Sequence, residues 1–337
     1  MTVSDLSESE LVARIQSRLA PPPSWVAVGI GDDAAVVEPE RNRLEVLTTD
    51  ALVDGVHFDR QFTPAAAIGH RALAVNLSDL AAMGAQPRLA LVSFALPGDL
   101  GAGEFDALVG GLAALASRTG TVVVGGNLTR TPGPLVVDVT VTGSVKRRQV
   151  LTRSGARPGD ELYVTGSVGT AAAGLRLLQR QRTSPIERPA AICIQRYLYP
   201  EPRLRTGVLL GRNLAATACL DLSDGLAAGL HLLAAASGVG VQIEAETLPF
   251  EPSALAALGG SHPDAALGAL SSGDDYELLF AARPRHRGRL RTVLASAGVP
   301  VTRIGLCTEP GSLTLRSAAG WPEAATAIPG GYSHFGG

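Results

Sequence analysis

Two adjacent carboxylates, Asp32 and Asp33, follow the glycine turn Gly29-Ile30-Gly31 and precede the apolar run Ala34-Ala35-Val36-Val37. Neighbouring anions repel unless water or cations compensate them. A solvated turn would satisfy that pair taken alone. More acids recur in the same setting, at Asp50, Asp79, Asp221, Asp224, Asp274 and Asp275, several of them ending short apolar runs. A strand tip can aim an oxygen into a cleft. Many oxygens converging on one cleft suit Mg²⁺, a hard cation that binds through carboxylates, waters and substrate phosphates.

Other groups stand beside these acids. Leu47-Thr48-Thr49-Asp50 offers hydroxyls, carbonyls and a carboxylate at an expected strand end. Asp54-Gly55-Val56-His57-Phe58 follows, and its histidine faces either a ligand or the packed interior. Asn76 and Asp79 are three apart, hence on one helix face. Asp79 falls in the last turn, where the helix dipole disfavours an anion. Gly125-Gly126-Asn127 closes an apolar run, and paired glycines permit close backbone approach to a phosphate. Gly166-Ser167-Val168-Gly169-Thr170 opens a helix; it is an anion site if exposed and a packing turn if not. In Asp221-Leu222-Ser223-Asp224-Gly225, Ser223 or Asp224 could serve as an N-cap. Capping leaves Asp221 unexplained. Gly273-Asp274-Asp275 repeats the order glycine, twin acids, apolar strand.

Gly29-x-Gly31-x-x-Ala34 matches a dinucleotide fingerprint in letters only. That turn should open a helix whose N-terminus holds pyrophosphate. Here strand residues follow, and two carboxylates occupy the turn.

The elements that must position these groups are legible in part. Ser7 and Glu10 form a capping box for a helix carrying Leu11, Val12, Ile15 and Leu19, ended by Pro21-Pro22-Pro23. Strands are expected over 25–30, 44–49, 89–96, 121–124, 135–145, 161–164 and 301–306. A helix is expected over 64–83, with Pro64 in its first turn and Gly84 as its C-cap. Helices are also expected over 104–118, after Thr170 and from Leu226. Residues 181–190 read as a loop, and Arg283 to Arg291 as a solvated basic run. The basic cluster Lys146, Arg147, Arg148 and Arg153 marks a domain boundary near residue 150.

The chain has 337 residues, 46% hydrophobic and 18% charged, enough for two globular domains. A net charge of −2 carries no basic excess and argues against nucleic acid as a partner. No apolar run reaches the roughly 20 residues that span a bilayer. The first residues lack the pattern of a signal peptide. Cys193, Cys219 and Cys307 lie far apart without ligand spacing and fit reduced thiols in a cytoplasm.

Taken together and in order, these stretches resemble the bacterial thiamine-monophosphate kinases, in the superfamily of aminoimidazole-ribonucleotide synthetase. The likeness rests on Gly-Ile-Gly-Asp-Asp, Thr-Thr-Asp-Ala-Leu-Val-Asp-Gly-Val-His-Phe and Ala-Val-Asn-Leu-Ser-Asp-Leu-Ala-Ala-Met-Gly-Ala. It continues through Leu-Thr-Arg-Ser-Gly-Ala-Arg-Pro-Gly-Asp, Asp-Leu-Ser-Asp-Gly-Leu, Gly-Asp-Asp-Tyr-Glu-Leu and Gly-Tyr-Ser-His-Phe, so it runs from Gly29 to Phe335.

The resemblance implies an α/β fold of two domains, 1–150 and 151–337. The first would bind ATP and Mg²⁺ and pair with a second copy into a dimeric barrel; the second would be an α/β domain. It implies a cytoplasmic homodimer that moves the γ-phosphoryl group of ATP to thiamine monophosphate. Asp33, Thr48, Thr49, Asp50, Asp79, Asn127, Asp221 and Asp224 would hold metals, with Asp32 a close second to Asp33. Asp50, Asp79 and Asp221 would be the acids most directly tied to transfer. Gly126, Asn127, Arg153 and Ser223 would contact ATP, and His57, Asp274 and Tyr332 the thiamine phosphate. The family usually has Asp where this chain has Asn127, and often Glu where it has Asp274. Two alternatives remain at this stage: a related ATP-dependent synthetase, and a nucleotide-binding homologue whose activity is reduced or lost.

Overall fold

The computed structural model describes residues 1–180, 190–258, 268–316 and 326–328. It divides into two compact units, Met1–Leu80 with Gln86–Arg147, and Ala81–Ala85 with Arg148–Gly337.

The first unit is built on a four-stranded sheet of β3 (Leu44–Val53), β4 (Gln86–Pro97), β5 (Val122–Thr131) and β6 (Val136–Val145), in the order β3-β6-β4-β5. β3 and β4 run antiparallel to β6, and β5 runs parallel to β4. Helices α2 (Ala65–Ala82) and α3 (Ala102–Thr119) cover one face. Val137, Val139 and Val141 of β6 point there and are buried. On β4, Phe94 meets Phe105 of α3 edge to face at 5.7 Å. The other face carries Thr49, Asp138 and Thr140, with Leu47 67% and Leu91 40% exposed.

Helix α1 (Glu8–Gln16) starts at the Ser7–Glu10 capping box. It stops four residues before the prolines expected to end it. Tighter turn hydrogen bonds, from Arg18 N–H to Ile15 and Leu19 N–H to Gln16, close it first. A small hairpin of β1 (Val26–Val28) and β2 (Val36–Val37) flanks the Asp32-Asp33 turn.

The second unit holds, among the described residues, the strands β7 (Glu161–Thr165), β8 (Ala218–Asp221), β9 (Gly240–Glu244), β10 (Leu278–Ala282), β11 (Val301–Thr308), β12 (Leu313–Arg316) and β13 (Thr326–Ala327). They form one sheet in the order β13-β12-β9-β11-β7-β10-β8. Among the described residues of this sheet, only β9 and β12 pair in parallel. Alternate residues feed two cores. Leu162, Val164, Leu220 and Leu279 pack with leucines of α7 (Leu226–Ser237) and with α4 (Thr170–Arg180), which α5 (Ala190–Leu198) flanks. Tyr163, Cys219, Leu278 and Phe280 pack with Leu210 of α6 (Leu204–Arg212) and with Leu290 and Val293. A sheet buried on both faces calls for apolar residues on both sides of its strands, and Leu162–Val164, Ala218–Leu220 and all of β10 supply them. Among the described residues, no helix is long and apolar enough to cross a membrane.

Candidate functional site

In the first unit the oxygen donors gather on β3. This strand runs to Val53, so Asp50 lies inside it rather than at its tip. Residue-by-residue pairing with β6, as far as Val53 opposite Val136, carries the strand past the acid. An outer strand has one side free, which lets it accommodate a carboxylate. Strand alternation then separates three neighbours. Thr48 and Asp50 point to the helix-covered side, and the Thr48 hydroxyl donates to the Asp79 carboxylate of α2. Thr49 points to the open face. Its hydroxyl lies 3.1 Å from Asp138 Oδ1 and 3.0 Å from Thr140 Oγ1.

Asn76 stands one turn before Asp79 and is buried. Its amide donates to the Ala72 carbonyl at 3.0 Å, while its own Oδ1 has no hydrogen-bond partner among the described residues. Asp32 and Asp33 are exposed in their turn, where Asp33 N–H donates to Asp32 Oδ1 at 2.8 Å. His57 is half-buried, and its Nδ1 accepts Val53 N–H at 3.0 Å, so the neutral ring carries its proton on Nε2.

Gly126 and Asn127 lie within β5 rather than beyond a strand end, next to a bulge that shifts the β4–β5 register. A Cβ on Gly126 would strike the Val92 carbonyl of β4, so neighbouring backbone accounts for that glycine. Both residues border a cavity of about 120 Å³, otherwise largely apolar, with Val92, Phe94, Val109 and Leu112 in its walls. Asn127 pairs across to Ser93 and Ser93 to Asp138, which puts all three on the open face.

In the second unit, Asp221 ends β8 and is buried. Neither Ser223 nor Asp224 is the N-cap of α7; Gly225 is, at φ 93°, packed against the Ser272 carbonyl where a Cβ would collide. That frees both polar side chains from the capping role. The turn is zipped to the second acidic stretch. Asp274 N–H donates to Ser223 O at 2.7 Å, Tyr276 N–H to Leu222 O at 3.0 Å, and Leu222 N–H to Glu277 O at 2.8 Å. Arg153 is exposed in a loop alongside β8, where the Thr152 carbonyl accepts Cys219 N–H at 2.8 Å.

The two Gly-Asp-Asp stretches differ in structure. Asp275 is not a second open acid. Its carboxylate accepts Gly169 N–H at 2.6 Å and Ala171 N–H at 3.2 Å, at the start of α4. Burial pushes its pKa up to about 7. The glycine turn before α4 is therefore a packing turn whose anion is internal. Arg287, in the basic run 283–291, is not simply solvated: it grips Glu161 at 2.6 Å. Tyr332 and the loop expected over 181–190, save its last residue, fall outside the described residues.

Among the described residues, no three His, Cys, Asp or Glu side chains converge tightly enough to hold a metal alone. The donors present are oxygens, which fit Mg²⁺ and not a soft metal. The three cysteines are buried free thiols. Burial first, and then nearby carboxylates, raise the pKa of Cys219 and Cys307, and burial raises that of Cys193. None is an activated nucleophile. The sequence reading overlooked Glu277, Arg203 and Asp138, whose partners lie far away in the chain.

Residues 31–145 match the N-terminal domain of AIR synthase related proteins, and residues 157–317 match their C-terminal domain. Thiamine-monophosphate kinase of Escherichia coli K12 is 40% identical over 97% of this chain and 98% of its own. The crystal structure of thiamine-monophosphate kinase from Stenotrophomonas maltophilia K279a superposes with TM-score 0.81 at 39% identity, covering 93% of this chain and 97% of that one. AaThiL complexed with AMPPCP and TMP gives TM-score 0.74 at 32% identity, over 99% of both chains. With both domains matched in order and relatives alike over nearly their whole length, the chain belongs to the thiamine-monophosphate kinase family of AIR synthase related proteins.

Proposed function

We propose that the chain transfers the γ-phosphoryl group of ATP to thiamine monophosphate, giving thiamine diphosphate and ADP. The observation that carries this reading is the nearly full-length likeness to AaThiL, which was captured with AMPPCP and TMP. A phosphate oxygen of the acceptor bonds to the γ-phosphorus as the β,γ-bridging P–O bond breaks. That step needs positioning and charge neutralisation, not a nucleophilic side chain. The buried, protonated thiols agree with this.

Donor and acceptor are both polyanions, and carboxylates alone would repel them. In this reading Asp33, Thr48, Thr49, Asp50, Asp79, Asn127, Asp221 and Asp224 hold Mg²⁺. The chemistry these residues would bring to the site by holding Mg²⁺ is neutralisation of phosphate charge. Thr48 fixes Asp79 through its hydroxyl. Arg153 and Ser223 contact ATP, as do Gly126 and Asn127, which border the 120 Å³ cavity. His57 offers Nε2–H to the acceptor, Asp274 offers a carboxylate, and Tyr332 joins them.

Residues 1–150 would form the ATP-, Mg²⁺- and dimer-forming domain, and 151–337 the second domain. The open sheet face with Leu47 and Leu91 would meet a second copy and close a barrel. β3 and β5 are the outer strands, three strand spacings or roughly 14 Å apart. Thr49 and Asn127 can then serve one metal only if different copies supply them. An assay with ATP, Mg²⁺ and thiamine monophosphate tests the reaction; sedimentation tests the pairing.

A further inference from the structure

Asp274, Asp275 and Glu277 are near neighbours in sequence, yet their side chains go three ways. Asp275 turns back to the first turn of α4. Glu277 is buried, with 2% of its side chain exposed. Both its oxygens take the Arg203 guanidinium, Nε at 2.6 Å, and Oε2 also accepts the Thr165 hydroxyl at 2.6 Å. Asp274, just before the first anchor, and Tyr276, between the two, hold φ of 70° and 49°. Residues with a Cβ avoid that region, and such conformations persist only where the surroundings over-determine them. The surroundings here do so, through the two side-chain anchors and the backbone bonds to Leu222 and Ser223.

We propose that Glu277 and Arg203 are positioning residues, whose buried fork holds the 274–276 backbone in its left-handed course and so presents Asp274 to the acceptor substrate. The ligand named here rests on the kinase reading; the clamp itself does not. A bidentate guanidinium–carboxylate pair fixes angle as well as distance, which a single hydrogen bond does not. Asp274 N–H reaches the Ser223 carbonyl, so the fork also steadies the turn that bears Asp221 and Asp224.

The same sheet supplies a control in a second, more exposed fork. Glu161, at the other end of β7, is buried and accepts Arg287 at 2.6 and 3.2 Å and the Tyr163 hydroxyl at 2.9 Å. No proposed site residue is among these partners.

The test compares Glu277→Gln, Arg203→Lys and Glu161→Gln in the full chain. Three quantities are read: amide hydrogen exchange at Asp274 and Tyr276, KM for thiamine monophosphate, and the melting temperature. Glu277→Gln should speed both amides and raise that KM, each at least tenfold, and Arg203→Lys should do the same to a smaller extent. Glu161→Gln should lower the melting temperature and leave both other readouts within twofold. The proposal is overturned if folded Glu277→Gln keeps either readout within twofold of the unsubstituted chain. It is equally overturned if Glu161→Gln shifts KM as far. Should Glu277→Gln not fold, Arg203→Lys decides by the same criteria, with a threefold change as its threshold. If the unsubstituted chain does not phosphorylate thiamine monophosphate, the kinase reading falls, and exchange at the two amides alone decides the clamp.

Discussion

The Thr48 hydroxyl donates to the carboxylate of Asp79, tying the outer strand of the first sheet to the last turn of α2. Hydrogen bonds to a charged group contribute about 1.5–3 kcal/mol and fix direction. Here the bond aims an acid that its own helix dipole disfavours. Thr48→Val keeps the shape and removes the donor. The Mg²⁺ concentration for half-maximal activity should rise roughly tenfold to a hundredfold, the usual cost of loosening a ligand's support. A magnesium titration of the purified variant measures this, and an unchanged midpoint would remove Thr48 from the site.

Asp50 shares that face of β3, two residues on. Asp50→Ala should abolish phosphoryl transfer and leave the far-UV circular dichroism unchanged, because an exposed outer-strand residue contributes little packing. Turnover near that of the unsubstituted chain would refute its metal role.

Asn127 offers a carbonyl oxygen without charge. Asn127→Asp should raise kcat or lower the Mg²⁺ requirement, since a carboxylate binds a hard cation more strongly. Steady-state rates across magnesium concentrations decide it. No change in either would mean that other oxygens, Asp138 on the same sheet face among them, already supply the charge.

Asp275 predicts a pH effect of definite sign. Its pKa is about 7 when folded and about 3.8 when unfolded. Between those values the folded chain binds the extra proton, so this group's contribution to stability falls as pH rises from about 4 to about 7. Asp275→Asn cannot titrate. Its melting temperature relative to the unsubstituted chain should therefore climb across that window, by roughly a few degrees. A difference that stays flat with pH would show that the carboxyl titrates normally.

Much of this was legible in the residues themselves. Pro64 and Gly84 bracket α2 within a residue or two, and Ser7 with Glu10 starts α1, because caps are local chemistry. Asp221 does end a strand. Asp50 does not, because pairing with β6 overrides the local preference of an acid for a turn. Gly126 reads as room for a phosphate, and the direction a Cβ would take is already filled by the Val92 carbonyl of β4. The anchors of the second acidic stretch were out of reach. Asp275 finds its donors 104 and 106 residues away, and Glu277 meets Arg203 at a separation of 74. Nothing in a local pattern tells an acid that caps a distant helix from one that faces a ligand. Of the adjacent pair, Asp275 turns back to the start of α4, while the Asp274 backbone ties to Ser223.

One assay bears most directly on the whole account. The purified chain, given ATP, Mg²⁺ and thiamine monophosphate, should form thiamine diphosphate and ADP in equal amounts, and should form neither when magnesium is chelated. Binding of ATP without any thiamine diphosphate, at saturating magnesium, would contradict it.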